Sequence, residues 1–260
     1  MKLGIEGRVA IVHGAGGGLG SAIALALAEE GVKVVVCDIS EEALEHADRL
    51  LAQTGSEHMT LVWDLADRNS LRKLDDVVAK LGTVDILVNN SGGPPPSKAH
   101  AVDRVLWASH FDSMVLSLIS MADAVIPGMK ERGWGRIITS ASSGVIAPIP
   151  NLGISNTLRS ALVGWSKTLA SELGQFGITS NIIVPGRIAT ARIRQLDQAR
   201  AKREGRPVEA VIADSVSTIP VGRYGKPDEY GAVATFLASE RASYITGSIV
   251  RVDGGYIPNI

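Results

Sequence analysis

The sequence predicts an α/β fold in which a parallel sheet of about seven strands carries helices on both faces within a single domain. Short runs rich in valine and isoleucine alternate with longer stretches of helical composition along the whole chain. This is the order produced by strands and crossover helices in a doubly wound sheet. The runs are continuously apolar, as expected for strands buried on both faces. The 260 residues are enough for one large core.

Each element is predicted from its own local pattern. The clearest strand is the β-branched run Val32–Cys37, and Ser70 is a suitable N-cap for the third predicted helix. The predicted strands are Val9–Val12, Val32–Cys37, Thr60–Trp63, Val84–Val88, Arg136–Ser140, Thr179–Val184 and Ser248–Val252. The predicted helices are Ser21–Glu30, Glu41–Gln53, Ser70–Lys80, Asp103–Arg132 (which contains Pro127) and Thr157–Phe176.

No repeat or linker divides residues 1–260, so one domain is predicted. The one shift in composition is the segment 187–220, which is polar, prone to helix formation and rich in arginine. We interpret this segment as a mobile insertion rather than a second domain; the family resemblance described below implies that it forms a lid over the substrate.

The composition excludes several classes of function. The chain is 45% hydrophobic and 20% charged with a net charge of −1, so it lacks the basic face that nucleic acids require. The near-neutral charge likewise argues against a partner membrane held by electrostatics. No uncharged apolar stretch approaches the roughly 20 residues of a membrane span, and no signal segment is evident, so a cytoplasmic protein is expected. The single cysteine, Cys37, excludes an internal disulfide and a cysteine-based zinc site, and no metal is predicted.

A glycine-rich turn follows the first predicted strand and precedes the first predicted helix. Glycine lets the backbone turn tightly and lets a pyrophosphate approach the helix N-terminus, where free N–H groups and the helix dipole favour negative charge. We therefore expect this turn to bind the phosphates of a dinucleotide. The predicted cofactor-binding residues in it are Gly14, Gly16, Gly17, Gly18, Leu19 and Gly20.

The acid Asp38 lies at the end of the second strand, about 20 residues after the turn, where a carboxylate can accept hydrogen bonds from a ribose diol. The same carboxylate would repel a 2′-phosphate, and the turn contains no arginine or lysine to attract one. The pattern indicates a Rossmann-type fold and favours NAD(H) over NADP(H). The alternative interpretation is that the glycines only pack the helix against the strand.

The spacing of Gly14, Gly18 and Gly20 resembles that of the short-chain dehydrogenase/reductase family. Nearly the whole chain resembles the branch that includes the 3-oxoacyl-acyl-carrier-protein reductases, through motifs such as 222–223, 244–247 and 252–255. His13 stands where the family usually has threonine, and we interpret it as a structural replacement below the turn. The resemblance implies an adenine contact at Asp64 and Leu65, a signature loop at Asn90, Ser91 and Gly92, and a nicotinamide-side loop at Pro185, Gly186, Ile188 and Thr190.

The family's reaction centre consists of a serine that holds the carbonyl oxygen, a tyrosine that transfers the proton, a lysine that lowers the pKa of the tyrosine and binds ribose, and an asparagine that supports a water relay. Ser142 matches the serine. The tyrosine position falls on Ser155 and the lysine position on Arg159, because the downstream helix aligns without a gap; the asparagine position falls near Met114. The resemblance therefore implies catalytic roles for Ser142, Ser155 and Arg159, with Arg159 also a ribose ligand.

The replacements change what the site can do. Residues 155 and 159 are one helical turn apart and share a face. Arginine remains protonated and cannot shuttle protons, and a serine hydroxyl is shorter and far less acidic than a phenol. Loss of one positioned acid typically costs about 10²–10⁴-fold in rate. We therefore expect a non-standard proton donor, for which His100 and Lys98 in the proline-rich loop after the fourth strand are candidates, although a solvated loop is the simpler interpretation.

The arginines of the insertion allow two interpretations. They could hold an anionic or thioester-linked substrate, or they could line a solvated helix face. The residues concerned are Arg187, Arg192, Arg194, Arg200 and Arg203.

Three functions are compatible with these observations. The first is an NAD(P)(H)-dependent oxidoreductase that interconverts a small-molecule carbonyl and a secondary alcohol. The second is a dinucleotide-binding sensor or structural subunit with weak or no catalysis. The third is a non-redox enzyme resembling the halohydrin dehalogenases, which however retain their tyrosine and lack the glycine turn. By resemblance to the family, the two long helices would form the contacts of a homotetramer, with a homodimer as the alternative.

Overall fold

The computed structural model describes residues 2–259 and contains one seven-stranded sheet in the order β3-β2-β1-β4-β5-β6-β7. Every neighbouring pair of strands is parallel. The predicted doubly wound α/β fold is therefore confirmed. The strands are β1 (Val9–His13), β2 (Lys33–Asp38), β3 (His58–Val62), β4 (Ile86–Asn89), β5 (Gly135–Ser140), β6 (Ile178–Pro185) and β7 (Ile249–Val252).

Helices cover both faces of this sheet. One face packs against α1, α2 and α9, and the other against α3, α5 and α6. The helices are α1 (Gly18–Glu29), α2 (Glu41–Leu51), α3 (Lys73–Leu81), α4 (Arg104–Phe111), α5 (Ser117–Arg132), α6 (Gly153–Leu173), α7 (Ala191–Glu204), α8 (Val208–Ser217) and α9 (Pro227–Ala238).

The central strands are buried on both sides, which explains their continuous apolar sequences. Alternate residues of each strand contribute to opposite cores, as Val34 and Val35 of β2 do. Cys37 is 1% exposed, as predicted, and burial raises the pKa of its thiol far above the ordinary value. A thiol in this state is an inert packing group.

Several predicted boundaries differ from the structure. The predicted N-cap Ser70 lies inside a 3₁₀ turn, Arg68–Arg72, which is capped by Asp67, so α3 begins at Lys73.

Two other boundaries differ for tertiary reasons. Helix α6 begins at Gly153, four residues before the predicted start. The backbone N–H of Gly153 donates to the Ser97 carbonyl at 2.9 Å, and that of Ile154 donates to Ser97 Oγ at 3.1 Å. A distant loop thus caps the helix, which no local pattern reveals. Strand β3 ends at Val62 rather than Trp63, whose ring turns inward to contact His13.

The long helical region predicted over Asp103–Arg132 is interrupted. A π-helical turn, Asp112–Leu116, joins α4 to α5, and Pro127 lies within α5. By length and composition alone, residues 104–132 could cross a membrane. The buried side of α5 packs into the core below the sheet through Met121, Ala122 and Met129. Such packing is typical of a core helix, which satisfies the same length and composition criteria.

The segment 187–220 folds as a helical hairpin of α7 and α8. Arg187 pairs with the buried Asp197 at 3.1 Å, and Tyr224 donates to the same carboxylate at 2.9 Å. The hairpin is therefore fastened to the loop that follows it. Its role as a lid remains a prediction.

Candidate functional site

The glycine turn wraps around the C-terminal end of β1. Gly14 and Gly18 have φ values of 57° and 60°, in the left-handed region that glycine tolerates best. Helix α1 begins at Gly18, so the N–H groups of its first turn lack carbonyl partners within the helix. The turn therefore presents backbone donors and the positive end of a helix dipole toward a phosphate.

Close packing explains why a side chain cannot replace two of these glycines. A Cβ on Gly20 would overlap the Gly14 carbonyl, and a Cβ on Gly14 would lie 2.5 Å from the Asn90 carbonyl. In turn, the Asn90 amide donates to the Gly14 carbonyl at 3.0 Å. Gly17, by contrast, has an extended backbone, and a Cβ added to it would meet no atom within 4 Å, so it is free on the ligand side. The cradle fits a dinucleotide pyrophosphate.

Asp38 lies beside this turn, at the end of β2. Its Oδ2 accepts a hydrogen bond from the Gly16 N–H at 2.9 Å, and its Oδ1 accepts one from the Ser40 N–H at 3.1 Å. Each carboxylate oxygen has a second lone pair for a ligand hydroxyl. The two backbone bonds fix the carboxylate at the rim of the cleft, where a ribose diol would approach.

A cleft of about 440 Å³ opens between these loops and the α4–α5 junction. This volume lies in the range of small-molecule and cofactor sites. Seven of the predicted cofactor residues line it, together with side chains that were not predicted to bind the cofactor. The predicted ones are Gly14, Asp38, Asp64, Leu65, Asn90, Ser91 and Gly92; the additional ones include His13, Trp63, His110, Ser113 and Met114.

The remaining predicted cofactor residues do not line this cleft: residues 16–20 lie in the glycine turn and the start of α1, Arg159 lies on α6, and the others lie on the 185–190 loop. Thr190 lies over the glycine turn, with its Cγ2 3.7 Å from where a Cβ on Gly18 would be. Ile188 is buried and pairs with Gly225 in an isolated bridge. Pro185 ends β6, and Gly186 packs so closely against Asp253 that a Cβ would lie 2.6 Å from its Cα. The structure thus brings the 185–190 loop to the phosphate turn but makes Ile188 a packing residue.

A row of buried polar side chains crosses the sheet beneath the cleft. Asn89 is level with Thr139 on the next strand, and on the other side His13 follows the last residue of β1 that pairs with β4, as Asn89 follows the last residue of β4 that pairs with β1; all three are at most 1% exposed. Among residues 2–259, none of their side-chain polar atoms has a hydrogen-bond partner. Burial lowers the pKa of His13 to about 4, so its ring is neutral at neutral pH. His13 is therefore a structural floor residue, as predicted, in T-shaped contact with Trp63.

Ser142 lies where β5 leads into a short 3₁₀ turn. Its Oγ accepts a hydrogen bond from the Gly144 N–H at 3.2 Å, which leaves the hydroxyl proton available to a ligand. The following segment is fastened to α6 by Asn156, whose amide donates to the Ile149 carbonyl at 2.9 Å and accepts from the Ile149 N–H at 3.3 Å. The sequence patterns gave no sign of this positioning role of Asn156.

Ser155 lies in the first turn of α6 and is 8% exposed. Its hydroxyl forms no hydrogen bond with any residue in the described part of the chain, 2–259. Met114 is also buried, in an apolar cluster with Ile154 and Leu158. The α4–α5 junction thus supplies no relay group at the predicted asparagine position.

Arg159 reaches from α6 to the ends of two strands. Its Nη1 donates to the Ser140 carbonyl at 3.1 Å, and its Nη2 donates to the carbonyls of Ser91 and Gly92 at 3.0 and 3.3 Å. Burial lowers the pKa of the guanidinium from its usual value. The predicted ribose ligand therefore holds β4 and β5 together at the ligand-binding edge of the sheet.

The other candidate groups lie elsewhere. Tyr230 is fully buried, with its hydroxyl 2.9 Å from Ser140 Oγ, and burial raises its pKa. His100 is exposed, although its loop packs on Gly153 at the start of α6. In the insertion, Arg187 and Arg200 form ion pairs with carboxylates of the hairpin, whereas Arg192, Arg194 and Arg203 are exposed. Within the described residues, no cluster of three or more metal-ligating side chains occurs.

Known proteins share this architecture along the whole chain. The sequence profile of the family described as Enoyl-(Acyl carrier protein) reductase matches residues 14–257. The 3-oxoacyl-acyl-carrier-protein reductase FabG of Salmonella typhimurium is 35% identical over 256 residues, covering 97% of this chain and 98% of that protein.

Two solved structures are similar at the level of the whole fold. L-sorbose reductase from Gluconobacter frateurii, in complex with NADPH and L-sorbose, has a TM-score of 0.94 and 31% identity over the full length of both chains. NAD⁺-bound xylitol dehydrogenase has a TM-score of 0.88 and 28% identity, covering 96% of this chain and 99% of that one. With its sheet order, glycine turn and strand-end loops in the same arrangement, the chain belongs to the short-chain dehydrogenase/reductase family of NAD(P)-dependent oxidoreductases.

Proposed function

We propose that this protein is an NAD(P)(H)-dependent oxidoreductase that interconverts a carbonyl and a secondary alcohol, as 3-oxoacyl reductases do, with a proton source other than tyrosine. The observation that carries the proposal is the intact dinucleotide cradle next to Ser142. Gly17 leaves the ligand side of the turn open for a pyrophosphate, the Asp38 carboxylate could accept hydrogen bonds from a ribose, and Ser142 retains a donor for a carbonyl oxygen.

The chemistry divides between the cofactor and the chain. When bound, a nicotinamide dinucleotide supplies or accepts the hydride. The backbone donors at the start of α1 and the Asp38 carboxylate would bind and orient it. Ser142 would orient the substrate oxygen by hydrogen bonding, and the 185–190 loop would exclude water from above the phosphate turn.

We further propose that NAD(H) is preferred over NADP(H). The Asp38 carboxylate would repel a 2′-phosphate, and the residues around it, Gly16, Gly17, Ile39 and Ser40, carry no positive charge. Similar proteins have been solved with either cofactor, L-sorbose reductase with NADPH and xylitol dehydrogenase with NAD⁺. The preference therefore depends on local charge rather than on the fold.

Fluorescence titration with NADH and NADPH tests this preference. We expect NADH to bind at least about tenfold more tightly, equivalent to about 1.4 kcal/mol. Asp38→Asn should reduce the ratio, because the amide no longer repels the phosphate. Asp76→Asn, an exposed carboxylate on α3, is the matched control. Equal affinities in the wild type would contradict the preference.

A panel of ketones and 3-oxoacyl thioesters tests the activity itself. We expect NADH oxidation with at least one carbonyl compound, and we expect Ser142→Ala to reduce kcat/KM by about 10²-fold or more. Binding of NADH without turnover across a broad panel would contradict the proposed activity. Anionic and neutral members of the panel would show whether the exposed arginines of the hairpin favour an anionic substrate.

The contacts of Arg159 favour a second candidate, a dinucleotide-binding subunit without catalysis. The guanidinium that replaces the expected lysine is bonded to three carbonyls, and Ser155 offers no acid of suitable pKa. Turnover by the wild type and by the double variant Ser155→Tyr with Arg159→Lys separates the two candidates. A reductase that works without tyrosine has activity before the change; a non-catalytic subunit has none before it and gains none from it. The intact glycine turn argues against the dehalogenase-like alternative.

We also propose a cytoplasmic homotetramer, with a homodimer as the alternative. Phe111 and Leu116, at the α4–α5 junction, are 39% and 38% exposed, and the outer face of α6 carries Ala161 and Gly164. Apolar and small residues on two long exposed helix faces are suited to contact with a second copy. Light scattering coupled to size-exclusion chromatography would measure the mass, and Leu116→Glu should lower it. A monomeric wild type would contradict this.

A further inference from the structure

We propose that Arg159, Ser155 and Ser142 form an oxyanion-binding site that stabilises the substrate oxygen as an alkoxide, which then takes its proton from water. This inference rests on the proposed oxidoreductase function and specifies how the site works without a protein acid. It assigns Ser155 and Arg159 the joint stabilisation of an anion, whereas the tyrosine of the family transfers the proton itself.

The charge of Arg159 is the first argument. The side chain is 8% exposed, and within residues 2–259 no carboxylate lies within ion-pairing distance of it. Its three partners are neutral carbonyls. They occupy three of the five N–H groups of a guanidinium, so two donors remain. A buried cation without a counter-ion favours the binding of an anion beside it.

The position of Ser155 is the second argument. It is 8% exposed, and its hydroxyl is unpartnered in the described part of the chain. It lies one helical turn before Arg159, so the two Cβ atoms are about 5–6 Å apart. It also lies in the first turn of α6, a helix of 21 residues, where the helix dipole favours negative charge. The Ser155 hydroxyl is therefore a free hydrogen-bond donor that lies between the positive end of the α6 dipole and the Arg159 guanidinium.

Ser142 supplies the third donor. Because its oxygen already accepts the Gly144 N–H, its proton is available to a ligand. A Cβ on Gly144 would lie 3.5 Å from Ser142 Oγ and would overlap Asn156 Oδ1. Ser142 is thus within reach of the residue next to Ser155, and the Asn156–Ile149 bonds fix the two segments together. The arrangement provides hydrogen-bond donors and a positive charge, and no group that titrates near neutral pH.

This composition determines the chemistry. As hydride adds to the carbonyl carbon, the electron pair of the C=O bond moves to oxygen. The hydroxyls of Ser142 and Ser155 and the charge of Arg159 stabilise the resulting negative charge, as donors in an oxyanion hole do. The alkoxide then removes a proton from water, and the hydroxide formed returns to the buffered solvent. The reverse reaction begins with loss of the alcohol proton to solvent.

The first test measures the binding of an anionic ligand and requires no turnover. In an oxyanion site, bound 4-nitrophenol should have a lower pKa than free 4-nitrophenol, as measured by the absorbance of the phenolate. We expect Ser155→Ala and Ser142→Ala each to weaken phenolate binding about tenfold. Ser160→Ala, on the exposed side of the same helix with its hydroxyl bonded to the Asn156 carbonyl, should have no effect. Arg159→Met should remove the pKa shift, and circular dichroism would show whether this variant is folded; the serine variants do not depend on it.

The second test asks, during turnover, whether the substrate oxygen takes its proton from water or from a side chain. In a series of ring-substituted trifluoroacetophenones, log kcat/KM should fall by more than about 0.5 per unit increase in the pKa of the product alcohol, because the oxygen carries nearly full charge. The solvent deuterium isotope effect should be close to one. His100→Gln should leave both quantities unchanged, whereas Ser155→Tyr with Arg159→Lys should make the slope shallower.

The outcomes are distinguishable. Turnover with a shallow slope and a large solvent isotope effect would overturn the oxyanion site while leaving the oxidoreductase function intact. An unshifted pKa of the bound phenol, or unchanged phenolate affinity in Ser155→Ala, would also overturn it. Phenolate binding with the expected serine dependence but no carbonyl reduction would support the site and refute the proposed reductase.

Discussion

The two ends of the ligand-binding edge of the sheet differ in the groups that they offer to a ligand: mainly backbone groups at one end, and side chains at the other. At the proposed adenosine and phosphate end, backbone N–H groups and the Asp38 carboxylate would supply the contacts, and Gly14 and Gly20 let the chain approach itself. At the proposed reaction centre, the chemistry would depend on three side chains, and Arg159 is hydrogen-bonded to backbone carbonyls. Binding geometry that belongs to the backbone persists as long as the fold does. Chemistry that belongs to side chains can change while the fold remains intact.

The largest effect is expected from adding a side chain within the glycine turn, which tests whether binding there depends on the packing of the backbone. Gly20→Ala places a Cβ on the Gly14 carbonyl, so we expect loss of about 3 kcal/mol in the free energy of unfolding and loss of dinucleotide binding. Gly17→Ala, where a Cβ meets nothing within 4 Å, should leave the free energy unchanged. Urea denaturation measures both. Equal stability of the two variants would show that the turn does not depend on this packing.

The buried polar floor should make stability depend on pH. The pKa of His13 is lowered to about 4, from 6.5 in the unfolded chain, so the unfolded state binds more protons between these values. The stability from neutral His13 is complete above pH 6.5 and is lost as the pH falls through 4, by about 3 kcal/mol in all. His13→Gln should flatten this part of the pH profile of unfolding, and the exposed His46→Gln should not.

At the reaction-centre end, Arg159→Lys would show how much the guanidinium contributes to the free energy of unfolding. A lysine ammonium cannot reproduce a planar fork across three carbonyls, so we expect a loss of about 1–3 kcal/mol in the free energy of unfolding. Dinucleotide affinity should change little, because the phosphate turn does not contact this residue. Arg203→Lys, an exposed arginine of the hairpin, is the control. A stable Arg159→Lys protein would assign Arg159 to ligand binding alone.

The smallest effect is expected from Asn156→Ala, which tests whether Asn156 holds the segment after Ser142 in place. Asn156→Ala removes two hydrogen bonds to Ile149, and we expect a loss of about 1–2 kcal/mol. Hydrogen exchange should increase in residues 143–152 before it increases in the sheet. Ser160→Ala provides the comparison on the same helix. Unchanged exchange in the 143–152 segment would mean that other contacts hold Ser142 in place.

The sequence predicted the parts of the molecule that depend on local patterns. Apolar runs identified every strand of the sheet, and glycine spacing with Asp38 identified the phosphate and ribose end. It did not predict that Ser97 caps α6 from a distant loop, which set the helix start before Ser155 rather than after it. It also did not predict that the arginine at the lysine position would bind carbonyls at the end of β5 and in the loop after β4. Both results depend on contacts between segments far apart in the chain, which local spacing does not encode.

The hydrogen bonds of Arg159 also constrain the order in which mutations could restore an ordinary active site. A lysine alone at this position would leave strand-end carbonyls unpaired before any tyrosine was present to use it. A tyrosine alone at position 155 would meet a guanidinium that cannot exchange protons. Each single step is unfavourable or useless without the other, so the two positions are expected to change together or not at all. The reaction centre is in this sense held in its present form by the stability of the sheet edge beneath it.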